Sequence, residues 1–199
     1  MNRLKYNKIY LAGPMDACRE SGREWRELIT PALEDIGIIV LDPYKKPILD
    51  ECGLEDDVNH TLVQEAIAVK DYDTVTSLMK NIRQVDLRMT DHADALIVNL
   101  DLTKRPCGTW EEIFTANRAK KPIIVKCDKK HELPPWLFSV LPHELFFETW
   151  SDVISYINYI DYEDDIEKLG RWVFFDVEDR IEQICGNNND SPEFEVDGL

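Results

Sequence analysis

The fold is decided by Asp94–Asp101, DALIVNLD, an apolar run closed at both ends by polar residues. Lys121–Val125, KPIIV, is a second such run. Short apolar runs of this kind are typical of strands that are buried on both faces of a sheet. Between them, Cys107–Glu112, CGTWEE, leads into a helical stretch. Strand, helix and strand with short links predict a parallel strand pair.

The same alternation extends to both sides of this unit. The predicted strands are Ile9–Ala12, Ile38–Leu41, Ala95–Leu100, Ile123–Val125 and Leu145–Phe147. Apolar residues at helical spacing predict the helices between them, over 25–36, 75–89 and 109–120. Pro31 is expected to kink the first helix or to start its second half. The pattern predicts an α/β protein with a doubly wound, five-stranded parallel sheet of order 2-1-3-4-5.

The remaining segments predict one domain over residues 1–185. The acidic stretch from about 44 to 71 is expected to be an insertion, a loop or short helix over one edge of the sheet. Helices are expected over about 150–184, at 150–160 and 166–184, as a C-terminal helical extension. Residues 186–199 are polar and acidic with little to bury, so we expect a disordered tail.

Charge and cysteine content limit the possible partners. The chain has 23 Lys and Arg against 39 Asp and Glu, a net charge of -16. A surface of this sign repels nucleic-acid polymers and anionic membranes, so neither is expected as a partner. The five cysteines form no C-x-x-C pair. Together with the lack of an export signal or membrane span in the sequence, this predicts a cytoplasmic protein with reduced thiols.

A ligand is expected where the strand order reverses, between the first and third strands. Two loops would line that crevice, one after Ala12 and the other over Asp101–Glu112. The candidate binding residues of the first loop and the helix that follows it are Gly13, Pro14, Met15, Asp16, Arg19 and Arg23. A tight turn with two arginines suits a sugar or a phosphate. The residues alone equally allow an ordinary strand-to-helix loop with surface arginines.

Two carboxylates are candidates for chemistry, and each has a simpler explanation. Glu112 is expected in the first turn of its helix, just beyond a buried strand. However, Thr109-Trp110-Glu111-Glu112 is also a capping box, in which Thr109 is the N-cap and Glu112 reaches back to its amide. Asp86 is expected to project from the preceding helix towards the same crevice. Its alternative is a solvated helix carboxylate.

These residues also form a recognisable series of motifs. The series is Ile9–Pro14, then Asp86 followed by Asp94–Asn99, then Gly108-x-x-x-Glu112-x-x-x-Ala116 followed by Lys121-Pro122-Ile123. In order and spacing, over residues 8 to 126, it resembles the nucleoside 2-deoxyribosyltransferases and the related nucleoside and nucleotide N-glycosidases. The resemblance implies a flavodoxin-like or Rossmann-like fold. It also implies a catalytic pair, with Glu112 as nucleophile and Asp86 as the group that holds or protonates the departing base.

This chemistry fits the residue types. Cleavage of an N-glycosidic bond builds positive charge on C1′, which a carboxylate on the opposite face stabilises or traps covalently. No metal or other cofactor is required, and the four histidines show no ligand spacing. Asp101, Gly108 and Thr109 complete the expected substrate-binding set. The expected partner is a small nucleoside or nucleotide, in a homo-oligomer.

The sequence leaves several alternatives open. Where relatives carry a phosphate-binding serine or an aspartate, this chain has Arg105-Pro106-Cys107, so the motif does not decide between nucleoside and 5′-monophosphate. Arg19 and Arg23 favour the monophosphate. Hydrolysis and transfer to an acceptor base are both compatible with the motifs. The alternative to an enzyme is a nucleotide-binding or sensing module on the same fold, in which Glu112 is chiefly a cap.

Overall fold

The computed structural model describes residues 3–15, 21–46, 57–104 and 106–176. Its centre is a parallel sheet of five strands in the order β2-β1-β3-β4-β5. The strands are β1 Lys8–Ala12, β2 Ile39–Leu41, β3 Ala95–Asn99, β4 Ile123–Lys126 and β5 Phe146–Phe147. The predicted α/β architecture and strand order are therefore confirmed, with strand ends that agree to within one residue.

Helices cover both faces of the sheet. They are α1 Ser21–Asp35, α2 Asp57–Ala68, α3 Tyr72–His92, α4 Cys107–Arg118, α5 Leu137–Val140 and α6 Trp150–Tyr162. One core combines alternate strand residues such as Tyr10 and Val98 with α3 and α4, and the other combines Ile9 and Ile97 with α1 and α6. Burial on both faces explains why the central strands read as continuous apolar runs.

The first helix does not break at its proline. α1 is a single helix over Ser21–Asp35 that contains Pro31. Pro31 therefore does not start a separate second half. Its position near the carboxyl end of α1, on an exposed face, limits the cost of the missing amide because solvent reaches that side of the helix.

The acidic insertion contains regular structure. A 3-10 helix at Pro43–Lys45 follows β2, and Asp42 caps it by accepting a hydrogen bond from the Tyr44 amide at 3.0 Å. α2 then packs against α3. Residues 47–56 lie outside the described part. A loop or a short helix is expected here, and the described portion is mostly helical.

The carboxyl end of the described chain is only partly α-helical. α6 extends the predicted helix by two residues, to Tyr162. The described part of the predicted 166–184 helix is instead two 3-10 helices, Ile166–Lys168 and Gly170–Asp176. The second helix begins at Gly170, whose φ is +54°. The rest of that prediction and the 186–199 tail lie outside the described residues. In the part that the structure describes, no helix has both the length and the apolar character to cross a membrane.

Candidate active site

α4 begins earlier than the capping box predicts. Its first residue is Cys107, and its N-cap is Pro106, which makes no side-chain cap hydrogen bond. Thr109 therefore lies inside the first turn and Glu112 in the second. The capping-box alternative is therefore wrong, as is the predicted placement of Glu112 in the first turn. The helix can start at Cys107 because Pro106 needs no amide partner and its carbonyl accepts from the Trp110 amide at 3.0 Å.

Glu112 instead reaches across to the first strand. Its Oε1 accepts a hydrogen bond of 2.8 Å from the hydroxyl of Tyr10, which is on β1. Both side chains are buried, with 7% of Glu112 and 1% of Tyr10 exposed. A carboxyl group that is buried and held by one hydroxyl has a fixed orientation, as a nucleophile requires.

Asp86 and Lys46 form an ion pair near this carboxyl group. Lys46 Nζ lies 2.9 Å from Asp86 Oδ1, and their side chains are 8% and 14% exposed. The charge of Asp86 acts on both Glu112 and Tyr10. The structure thus brings together the two carboxylates named from the sequence. Lys46 joins them from the segment directly after the 3-10 helix.

A buried arginine fixes the surrounding loops. The Arg26 guanidinium, 1% exposed, donates to the carbonyls of Leu11 at 3.0 and 3.2 Å, of Gly13 at 3.3 Å and of Gly22 at 2.5 Å. It also lies 3.7 Å from an Asp42 carboxylate oxygen. These contacts join the end of β1, the start of α1 and the end of β2. A buried guanidinium is stable only with such a set of acceptors.

The sequence does not predict the roles of Arg26 and Lys46. Arg26 is adjacent to Trp25 on a helix with an apolar stripe, so it resembles an ordinary boundary arginine. Lys46 belongs to a charged stretch, Lys45-Lys46, of the kind that usually faces solvent. The one available signal is Asp42, a carboxylate that directly follows an apolar run and needs a partner if it is buried.

Electrostatics favour the protonated form of the Glu112 carboxyl group. Burial raises its pKa to about 8, and the charge of Asp86 acts in the same direction. The Tyr10 hydrogen bond and the positive charges of Arg26 and Lys46 oppose this rise. Burial, with the charges of Glu112 and Asp86, also raises the pKa of Tyr10 well above its usual value, which keeps its hydroxyl a donor.

The two candidate glycines have different environments. A Cβ at Gly13 would lie 3.1 Å from both the Asn99 carbonyl oxygen and a ring carbon of Trp25, so the close approach of this loop to β3 favours glycine. A Cβ at Gly108 would meet nothing within 4 Å. Gly108 therefore borders open space at the start of α4, and packing does not explain why it is a glycine.

Other predicted residues lie around a small polar cavity at the strand ends. The cavity, about 180 Å³, is lined by Pro14, Gly22, Trp25, Asn99, Leu100, Asp101, Lys126 and Asp128. Asp101 also closes its own turn by accepting from the Thr103 amide at 2.9 Å and hydroxyl at 2.6 Å. A larger groove of about 830 Å³ runs along α3, with Lys8 and Leu41, and is not lined by Glu112.

The remaining predicted residues are not gathered at Glu112. Arg23 is exposed, and its guanidinium lies 4.8 Å from the centre of the Tyr44 ring. Met15 is half-buried at the end of the first described loop. Asp16, Arg19 and Arg105 lie outside the described residues. In the described ranges, no group of three or more His, Cys, Asp or Glu side chains is arranged to hold a metal ion.

The architecture matches solved structures. A 2-deoxyribosyltransferase from the psychrotolerant bacterium Bacillus psychrosaccharolyticus superimposes with a TM-score of 0.52 at 22% identity, over 75% of this chain and 91% of that one. The chain has the 2-deoxyribosyltransferase fold. A 2-deoxyribosyltransferase from Leishmania mexicana gives a TM-score of 0.48 at 17% identity, covering 76% of this chain and 96% of its own. No protein-family model and no curated protein sequence matches the chain.

Proposed function

We propose that this protein cleaves or transfers at the N-glycosidic bond of a 2′-deoxynucleoside or its 5′-monophosphate, with Glu112 as nucleophile. The observation that carries the proposal is the buried Glu112 carboxyl group, held by Tyr10 and close to Asp86. Its place on a 2-deoxyribosyltransferase fold supports the same chemistry. A module that only binds nucleotides has no need of a second carboxylate beside the first.

The reaction proceeds in two steps. Glu112 attacks C1′ while the C1′–N bond breaks, and the electron pair of that bond passes to the base nitrogen. The product is a deoxyribosyl ester of Glu112, and the base leaves after gaining a proton from water, while the Asp86 carboxylate holds it. Water or a second base then attacks C1′ and releases Glu112. The Tyr10 hydroxyl keeps the carboxylate aligned during both steps.

The raised pKa of Glu112 has a role in this scheme. A protonated carboxyl group is a poor nucleophile, so Glu112 must first lose its proton to solvent. Positive charge that develops at C1′ favours the ionised form, because the two charges face each other in a buried site. We therefore expect kcat/KM to rise with pH up to about 8.

Two features bear on whether the substrate has a hydroxyl or a phosphate at its 5′ end. Arg23, where α1 begins, supports a monophosphate. The cavity at the strand ends is lined by Asp101, Asp128 and Lys126, and this excess of carboxylates favours a sugar hydroxyl over a phosphate. Comparison of kcat/KM for a matched nucleoside and 5′-monophosphate, with an Arg23→Ala variant alongside, distinguishes the two.

The test is incubation with a panel of deoxynucleosides and monophosphates, with and without a free acceptor base, followed by chromatography. Glu112→Gln is the test variant. Glu111→Gln is its matched control, because the neighbouring Glu111 is at the surface in an ion pair with Arg83. We expect the wild type and Glu111→Gln to release or exchange bases and Glu112→Gln to lose this activity. Binding of the panel without any base release would support the sensing module instead.

A further inference from the structure

Lys46 occupies an unusual position for a lysine. Its long side chain normally keeps the ammonium group in water, yet here the side chain is 8% exposed and directed inward to Asp86 on α3. The 3-10 helix that precedes it is fixed by the Asp42 cap. A buried charge pair is a weak source of stability, because the cost of removing both charges from water offsets their attraction. Stability alone therefore does not explain why the Lys46–Asp86 pair is buried near Glu112.

The groups that act on the Glu112 carboxyl group come from four segments of the chain. Tyr10 lies on β1, Arg26 on α1, Lys46 after β2 and Asp86 on α3. Of the two cations, Arg26 acts more strongly on Glu112 than Lys46 does, and Arg26 also lies 3.7 Å from Asp42. Lys46 is the cation that contacts Asp86 directly. Without it, the negative charge of Asp86 would act more strongly on an ionised Glu112.

We propose that Lys46 is a positioning residue of this active site, which holds the Asp86 carboxylate in place and compensates its charge so that Glu112 can ionise. The inference rests on the proposed function and adds a residue to it. During attack, the Glu112 oxygen forms its bond to C1′ and the electron pair of the C1′–N bond leaves with the base, so the Lys46–Asp86 pair is unchanged at the end of the step.

The effect of losing the ammonium group follows from this charge arrangement. In Lys46→Met, the Asp86 carboxylate loses this cation and opposes ionisation of Glu112 more strongly. Attack then requires a higher pH. We expect kcat to fall at least about tenfold near neutral pH, and the rise of kcat/KM to move up by about one pH unit. KM should change little, because Lys46 acts through Asp86 and not on the substrate.

Two further variants separate positioning from a structural role. Lys46→Arg retains the charge and should restore most of kcat and the wild-type pH profile. Lys45→Met, at the exposed neighbouring position, should behave as the wild type. The inference is overturned if Lys46→Met keeps the wild-type kcat and pH profile. It is also overturned if Lys46→Arg recovers the wild-type melting temperature but not the activity lost in Lys46→Met.

Infrared titration tests Lys46 without relying on activity. The band of the protonated Glu112 carboxyl group is identified by its loss in Glu112→Gln and is then followed against pH. We expect its midpoint to move to higher pH in Lys46→Met, and an unchanged midpoint would contradict the inference. If the midpoint moves but the wild type releases no base from the panel, the proposed function fails while the role of Lys46 in setting the ionisation of Glu112 remains.

Discussion

At Glu112, burial and hydrogen bonding act on the carboxyl group in opposite directions. Removal from water favours the neutral form, whereas the Tyr10 hydroxyl and two nearby cations favour the ionised form. Burial prevails, and the pKa rises from the ordinary 4.5 to about 8. The native protein therefore keeps a proton that the unfolded chain releases at lower pH. This difference couples the stability of the fold to pH.

The stability of the wild type should fall as pH rises from about 4.5 to about 8, because the folded state binds one more proton in that window. Glu112→Gln lacks this proton equilibrium. Its free energy of unfolding, relative to that of the wild type, should therefore increase across the window by a few kcal/mol. Urea unfolding of both proteins at several pH values measures the difference. A constant difference from pH 5 to pH 9 would show that Glu112 has an ordinary pKa.

The two glycines should respond differently to a methyl group. Gly13→Ala places a Cβ against the Asn99 carbonyl and Trp25, so it should lower the free energy of unfolding by about 1 to 3 kcal/mol. Gly108→Ala meets no protein atom and should change stability by less than about 1 kcal/mol. If substrate approaches the start of α4, Gly108→Ala should still lower kcat/KM at least about tenfold. Wild-type kinetics in Gly108→Ala would remove Gly108 from the binding site.

At the scale of elements, periodicity predicts that a helix exists but not where it begins. The Thr109 to Glu112 spacing matches a capping box with Thr109 as N-cap, yet the N-cap of α4 is Pro106, three residues earlier. The pattern describes only local hydrogen bonding. It contains no information about Tyr10, which lies 102 positions away in sequence and competes for the same carboxyl group. A buried long-range contact thus sets the orientation of the Glu112 side chain, which the local motif cannot predict.

Arg26 joins three elements at the edge of the site, so its loss should be costly. Arg26→Met removes donors to three backbone carbonyls and leaves Asp42 buried without this cation. We expect a loss of about 3 to 5 kcal/mol in the free energy of unfolding. The neighbouring Glu27→Met, on an exposed position of the same helix, is the control. A loss in Arg26→Met no larger than in the control would mean that the guanidinium does not hold these elements together.

At the scale of the molecule, the sheet could be predicted and the charge cluster could not. Five apolar runs alternating with helices leave few topologies, since parallel crossovers are right-handed and short. The strand order followed from those rules. The site, in contrast, combines Tyr10, Arg26, Lys46, Asp86 and Glu112 from five separate segments. Tyr10 reads as a core residue of a buried strand, and nothing local to it or to Lys46 indicates proximity to Glu112.

The central claim is that Glu112 forms a bond to C1′, and mass spectrometry of the acid-quenched enzyme during turnover tests it most directly. The measurement uses the best substrate of the panel, with Glu111→Gln as positive control and Glu112→Gln as negative control. We predict an added mass of one deoxyribosyl group, or its 5′-phosphate, on the peptide that contains Glu112 and its absence in Glu112→Gln. Turnover with no adduct, or with an adduct on a different residue, would contradict the account.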